Sequence, residues 1–380
     1  MKTALFKYTK NEWEELPSNT ILTLDTIQLV LCFGNKQILS EPNIYNTIKK
    51  KFKTAEIAMC STAGEIFHTT VVDETITVVA FEFTTTTICT SKVNIKSCAN
   101  SFEAGELLLK NLPVDDLKYV LILSDGTLAN GSELVKGLTD ATGNKVLITG
   151  GLAGDNFDFK STLVGLNEQP TAGVIVAIGF YGNNLMVHYG SLGGWDMFGP
   201  ERIITKSIDN ILYEIDNKNA LDLYKRYLGP DIENLPASAL LYPLAVMTSE
   251  YGHPIVRTIL DINEQEKTMT FAGDVPQGSK VRLMKANLDK LTMASQIASD
   301  FATNHHQINP DFALLISCVG RRLVLGSRIE EEVETAFEAM GNNTLLAGFY
   351  SYGEISPLNG AVKCELQNQT ITITTFYELP

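Results

Sequence analysis

Three short loops join glycines, hydroxyls and an acid: CSTAGEI at residues 60–66, TGGLAGD at 149–155 and FYSYGEI at 349–355. Glycine lets the backbone enter conformations closed to other residues, so neighbouring amide N–H groups can converge into a nest for an anion such as a carboxylate. Here Gly64, Gly151, Gly154 and Gly353 would supply the bends, and Ser61, Thr62 and Ser351 would add hydroxyl donors. Glu65, Asp155 and Glu354 would face an ammonium group, and Tyr352 sits inside the third loop. Such a set could grip both ends of an amino acid. The same residues also serve tight turns between packed strands, with the acids merely solvated, and both readings stay open.

A second group, Cys318, Gly320 and Arg321 in SCVGRR, follows an apolar strand-like run. Loops at the carboxyl ends of parallel strands are favoured ligand positions in open α/β sheets. Arg321 could fork onto a carboxylate, with Arg322 beside it as the alternative. Cys318 could act as a nucleophile, but no histidine lies close in sequence, and an inert, partly buried thiol is the simpler reading; Cys60 is read the same way. In SDG at 124–126, Asp125 either caps a strand-to-helix turn or marks an anion site at the helix start. No phosphate-loop or nucleophile-elbow motif occurs.

The five histidines, His68, His188, His253, His305 and His306, show no metal-binding spacing. His188 alternates with Met186 and Gly190 and could face a pocket; it is the first candidate for a haem ligand, with His68 the second. Both also fit as ordinary packed or solvated residues. His305 and His306 close a predicted helix and read as surface residues. Trp195 in GGWDMFGP could cover a ligand or plug a gap between domains.

The elements that must position these loops repeat. An apolar strand, a helix and a second apolar strand precede each Gly-acid loop, in residues 29–66, 119–155 and 312–355. A β-rich run follows each time: TITVVAFEF from Thr75, TAGVIVAIGF from Thr171 and TITITTF from Thr370. The second and third copies match further upstream, so that residues 75–190 mirror 268–380 in element order. A β-hairpin is predicted around Asp209–Asn210 and a helix over Ala220–Leu228, stopped by Gly229-Pro230. The expected fold is mixed α/β (α+β) with two internally related halves, 1–215 and 216–380, and sheets covered by helices in an α/β/β/α layering.

Composition narrows the function classes. The chain has 380 residues, 44% hydrophobic and 19% charged, as a folded globular protein does. Its net charge of −14 excludes a broad nucleic-acid-binding surface and disfavours anionic membranes. The one basic cluster, KKKFK at 49–53, reads as the solvated C-terminal end of a helix. Six cysteines, without a C-x-x-C pair and mostly in apolar runs, read as reduced thiols, and no apolar run approaches a transmembrane length. The expectation is a soluble cytoplasmic protein with no nucleic-acid or membrane partner.

STAGEI at 61–66, GGLAGD at 150–155, ILYEIDNKNALDLYKRYLG at 211–229, YPLAV at 242–246, IVRTIL at 255–260, SCVGRR at 317–322 and AGFYSYGEISP at 347–357 together resemble the FIST (F-box and intracellular signal transduction) family. Each motif is weak alone; their order and spacing along most of the chain carry the resemblance. It implies an N-terminal and a C-terminal FIST domain forming an intracellular sensor of a small ligand, with amino acids and related metabolites as the proposed ligands and no catalysis. It also implies output through a separate protein such as a histidine kinase, chemoreceptor or cyclic-dinucleotide enzyme. Some members are linked to haem-dependent nitric oxide sensing, which keeps haem on His188 or His68 as an alternative. A cysteine-nucleophile enzyme is the third reading.

Overall fold

The computed structural model describes residues 1–17, 22–235, 237–247, 253–304, 309–341, 343–358 and 363–379. His305 and His306, expected at a helix end, lie outside the described residues.

The run LVLCFG shows why the sheets stack as they do. Side chains alternate across a strand, so a run apolar at every position must be buried on both faces. In the strand Leu29–Gly34, Leu29, Leu31 and Phe33 enter a central core, while Val30 and Cys32 enter a separate outer one. The strands Leu117–Ser124 and Phe312–Cys318 divide the same way, with Tyr119, Leu121 and Leu123 and with Phe312, Leu314 and Ile316 pointing to the same centre. Three curled sheets thus pack around one apolar core, stitched by ring contacts such as Phe33 on Phe349 at 4.9 Å. Helices cover their outer faces, so a section through any two sheets reads helix, sheet, sheet, helix. The mixed α/β expectation is met.

Each sheet is built in one order. The two parallel strands of a repeat lie side by side: Leu29–Gly34 with Glu56–Ser61, Leu117–Ser124 with Leu147–Leu152, and Phe312–Cys318 with Leu345–Ser351. The β-rich run that follows each repeat returns antiparallel to the first strand, as Ile76–Glu82, Val174–Tyr181 and Ile371–Glu378. A strand from earlier in the chain closes that side: Lys2–Thr9, Thr87–Asn94 or Leu185–Leu192. The other edge comes from a different repeat. Glu65–Phe67 pairs with Leu345–Ser351, Val164–Leu166 with Glu56–Ser61, and Gly353–Pro357 with Leu147–Leu152. The exchange is cyclic, first to third, second to first and third to second.

The helices are fixed by local chemistry. Those at Ser101–Lys110, Gly131–Thr142, Ala220–Leu228 and Leu288–Ala302 each begin after an asparagine whose side chain accepts an amide N–H of the first turn, from Glu103, Glu133, Asp222 and Lys290. The predicted helix 220–228 and the hairpin at Asp209–Asn210 form as expected, and Lys49–Lys51 end the helix Ile44–Lys51.

The mirror between 75–190 and 268–380 holds for helix and repeat but not for what precedes them. Lys280–Lys285 does not take the place of Thr87–Asn94; Leu185–Leu192 does. Residues 196–285 instead build a fourth, eight-stranded sheet with its own core around Leu212, Leu221, Tyr224, Met269 and Phe271. That sheet is inserted upstream of the third repeat, between the strand Leu185–Leu192 of the third sheet and the helix Leu288–Ala302. Trp195 seals the junction: it is buried with Met284, Leu291 and Leu325, and its indole N–H donates to the Gln369 carbonyl at 2.8 Å. Of its two readings, domain packing is the one formed.

Close backbone approach makes Gly348 sensitive. A Cβ there would lie 1.7 Å from the Leu315 carbonyl oxygen in the paired strand. Gly348→Ala is expected to cost about 3 kcal/mol or more, because backbone must move in a close-packed sheet; a urea midpoint equal to wild type would refute this.

Candidate functional site

The Gly-acid loops are the crossover points of the cyclic exchange. Each leaves its own second parallel strand and enters a neighbour's sheet, so the three meet at one end of the central core. The Ala63 N–H donates to the Tyr350 carbonyl and the Tyr350 N–H to that of Gly64, both at 2.8 Å. Gly154 N–H reaches the Ser61 carbonyl at 2.9 Å, and Tyr352 N–H reaches that of Leu152 at 3.1 Å. Gly154 is tight because its missing Cβ would sit 2.8 Å from the Ala63 nitrogen.

The side chains expected to hold a ligand are turned into this crossing. Thr62 Oγ1 donates to Glu65 at 2.6 Å, and Thr75 Oγ1 donates to its other oxygen at 3.1 Å. Ser351 and Thr370 hold Glu354 in the same manner, at 2.6 and 2.8 Å. Ser61 Oγ accepts the Leu163 N–H at 2.9 Å. Gly151 and Gly353 pack against Ile316 and Leu366. The expectation that these hydroxyls and acids grip an amino acid directly is therefore corrected: Ser61, Thr62, Glu65, Ser351 and Glu354 are buried and bonded within the chain. Burial pushes the Glu65 carboxyl up to about 8 and that of Glu354 up to about 7.

Asp155 differs. Burial raises its pKa, but N–H groups of Ser161 and Lys160, the Tyr352 hydroxyl and Lys36 at 3.4 Å outweigh this and hold it below the usual range. Asp125 caps its turn, accepting from Thr127 and Leu128 N–H at 2.8 and 2.7 Å and from Gly173 at 2.8 Å, so the capping reading holds.

Arg321 is likewise corrected. Its guanidinium is fully buried, paired with the buried Glu332 and bonded to the carbonyls of Gly193 and Leu291. Gly320 packs on the Gln369 side chain. Burial drives the thiols of Cys318 and Cys60 well up, leaving both mostly as neutral, poorly nucleophilic thiols.

The neighbouring Arg322 turns the other way. Its guanidinium bonds the Ala63 carbonyl and, at 2.6 Å, Asp73, and lies 5.5 Å from the Phe157 ring and 5.7 Å from that of Tyr350. It fits only because residue 64 is glycine; a Cβ there would strike the guanidinium at 2.4 Å, and Gly64 has φ +128°. Arg322 lines an open cleft of about 900 Å³ with Lys10, Asn35, Asp73, Glu74 and Phe157. The segment after the second loop and Arg322 of SCVGRR line this cleft, and the first loop lies behind them, its Ala63 carbonyl holding the guanidinium. Lys10, Asp73, Glu74 and Phe157 were missed from the sequence. The one available signal was NFDF at 156–159, two aromatics in a polar loop.

A second cleft, of about 420 Å³, is the topological counterpart of the first. Each lies where the chain leaves the first parallel strand of one repeat, against the segment exchanged from the next. Of the expected ligand residues, Tyr352 lines this second cleft.

His68 and His188 do not fit as haem ligands. The His68 ring packs edge-on to Phe337 at 4.8 Å. His188 shares its strand face with Gly190, whose missing Cβ would meet the Ala298 carbonyl at 1.9 Å, so a helix is packed tightly over that face. Neither histidine lines either cleft. Burial lowers both pKa values. Among the described residues no cluster of His, Cys, Asp and Glu could hold a metal, and no helix is long and apolar enough to cross a membrane.

Residues 28–218 match the model of the FIST N domain and residues 220–357 that of the FIST C domain. No curated protein sequence matches. Among solved structures, the chain is similar to a cyanuric acid hydrolase from A. caulinodans at 7% identity and a TM-score of 0.36, over 94% of this chain and 92% of that one. It is also similar to a cyanuric acid hydrolase described as evolutionary innovation by structural concatenation, at 10% identity and a TM-score of 0.31, over 99% of both chains. Neither likeness carries an argument about activity.

Proposed function

Because this chain belongs to the FIST family, whose domains are signal-transduction sensory domains, we propose that it is a small-ligand sensor that binds an amino acid or a related zwitterion in the Arg322 cleft. The observation that carries the reading is the placement of Arg322 between three loops, on a cleft lined by both signs of charge. Asp73, its present partner, is 53% exposed and can swing away at little cost. A ligand carboxylate would take its place on the guanidinium fork, and Asp73 with Glu74 would receive the ammonium group. The Phe157 ring, 45% exposed, would cover the ligand's apolar part.

This reading is of binding without catalysis, supported by the raised thiols of Cys60 and Cys318. The signal would pass to a separate protein, for which a histidine kinase, chemoreceptor or cyclic-dinucleotide enzyme is the expected kind. A thermal-shift screen with amino acids tests it. At about 100 times Kd a ligand specific to the folded state adds about 2.7 kcal/mol. At least one amino acid is expected to raise the midpoint, and Arg322→Ala to abolish the shift while leaving the unliganded midpoint within about 1 kcal/mol of wild type. A shift that survives Arg322→Ala would move the ligand out of this cleft; no shift with any amino acid would reject the ligand class.

A further inference from the structure

The second cleft differs from the first in chemistry and in what forms its walls. No lysine, arginine, aspartate, glutamate or histidine is among its lining residues. One wall carries Phe159 stacked on Tyr352, with ring centroids 4.5 Å apart and planes 17° apart, and Phe159 is 41% exposed. The opposite wall belongs to the inserted sheet and presents Leu260, 44% exposed, with the buried Phe271 behind it. Two side-chain amides line the space between. Asn130 accepts the Glu133 N–H through Oδ1, and Asn210 donates through Nδ2 to the Phe271 carbonyl at 2.8 Å. No described residue is bonded to Nδ2 of the first or Oδ1 of the second, which leaves one donor and one acceptor at the rim.

We propose that this cleft is a second ligand site, for an uncharged planar aromatic molecule that stacks on Phe159 and bridges the central core to the inserted sheet. A charged ligand would lose hydration there without gaining a counter-charge. A neutral ring would cover exposed apolar surface on both walls, and the two amides would orient its polar edge. The bridge matters because the cleft lies at the junction itself, beside the polar links that join the inserted sheet to the central core. They include Lys136 with Asp274 at 2.9 Å, Ser132 with the Asp274 N–H at 3.3 Å and Arg257 with the Leu366 carbonyl at 3.0 Å. The chain enters the insertion through Gly193-Gly194, the second at φ +77°. A ligand touching both walls binds only the docked arrangement, so its occupancy favours docking.

Benzamide serves as the probe, with benzoate as its charged counterpart, followed by ligand-observed NMR titration and by hydrogen exchange of the strand Thr268–Phe271. Saturable benzamide binding, at least about tenfold tighter than that of benzoate, is expected. It should be weakened about tenfold or more by Phe159→Ala and, separately, by Leu260→Arg, and left unchanged by Arg322→Ala. Exchange in Thr268–Phe271 should slow when benzamide is bound. Both altered side chains are substantially exposed, so these variants are expected to fold, and the Arg322→Ala control separates this site from the zwitterion cleft. No saturation up to about 10 mM, equal affinity for benzoate, or binding indifferent to both cleft variants would overturn the proposal.

Discussion

Arg321→Ala is expected to lower the unfolding free energy by about 3–5 kcal/mol, the usual cost of stripping one partner from a buried ion pair. Glu332 would remain fully buried, with the hydroxyls of Ser317 at 2.9 Å and Tyr350 at 3.0 Å as its remaining side-chain partners among the described residues. The carbonyls of Gly193 and Leu291 would also lose their donors, loosening the entry to the inserted sheet. Arg321→Lys should recover little of this, since an ammonium group cannot reproduce a planar fork that serves a carboxylate and two carbonyls. The double change Arg321→Met with Glu332→Leu should be milder than Arg321→Ala alone, because no buried charge is left unpaired. Urea denaturation decides the point: a loss below about 1 kcal/mol for Arg321→Ala would mean the pair is not buried in solution.

The second large effect is on pH dependence. Burial raises the Glu65 and Glu354 pKa values from 4.5 to about 8 and about 7, so the folded state holds these protons more tightly than the unfolded chain. Stability from these two groups is fully present below the unfolded pKa and falls as pH rises through the folded values. Glu378 acts in the opposite sense. Burial raises its pKa, but the N–H groups of Thr84, Thr85 and Thr86 at 2.7–2.8 Å prevail and hold it well below the usual carboxylate range. Its contribution is present above the unfolded pKa and is lost as pH drops towards the folded one. Stability should therefore peak in mildly acid solution and decline from pH 6 to 9. In the double variant Glu65→Gln with Glu354→Gln, each amide oxygen accepts from one partner, Thr75 or Thr370, while its NH2 donates to the other hydroxyl, Thr62 or Ser351, and no charge must be buried. That decline should flatten, with a gain on the order of 3 kcal/mol at pH 8.5. Parallel decline in wild type and variant would show that neither carboxyl is the cause.

Much of the scaffold was legible because burial on both faces writes itself as an unbroken apolar run, and each such run was followed by a helix, a second run and a glycine. Whether the loops meet was not legible: repeated units imply equivalent loops, but only the cyclic exchange of strands brings 60–66, 149–155 and 349–355 together. Strand partners were not legible. Lys280–Lys285 alternates as any half-buried strand does, and nothing in that alternation says whether it closes the third sheet or joins the inserted one. The choice between Arg321 and Arg322 was hidden too. Neighbours in a helical turn point in different directions, and groups distant in sequence, Glu332 and the carbonyls of Gly193 and Leu291, decide which guanidinium is drawn inward. The hydroxyl–acid pairs Thr62–Glu65 and Ser351–Glu354 have the composition of a ligand grip, and only their burial shows that they fasten crossovers.

The cyclic exchange of edge strands has a bearing on how the chain is made. The first sheet takes its edge from residues 164–166, the second from 353–357, and the third needs Ile371–Glu378 between its opening strand and its parallel pair. During synthesis the first repeat waits with an open edge until about 100 further residues have followed it, and the second waits for about 200, while the apolar faces meant for the common centre lie uncovered. A chain stopped before residue 371 would thus carry open sheet edges and uncovered apolar faces, an aggregation-prone intermediate rather than a finished N-terminal domain.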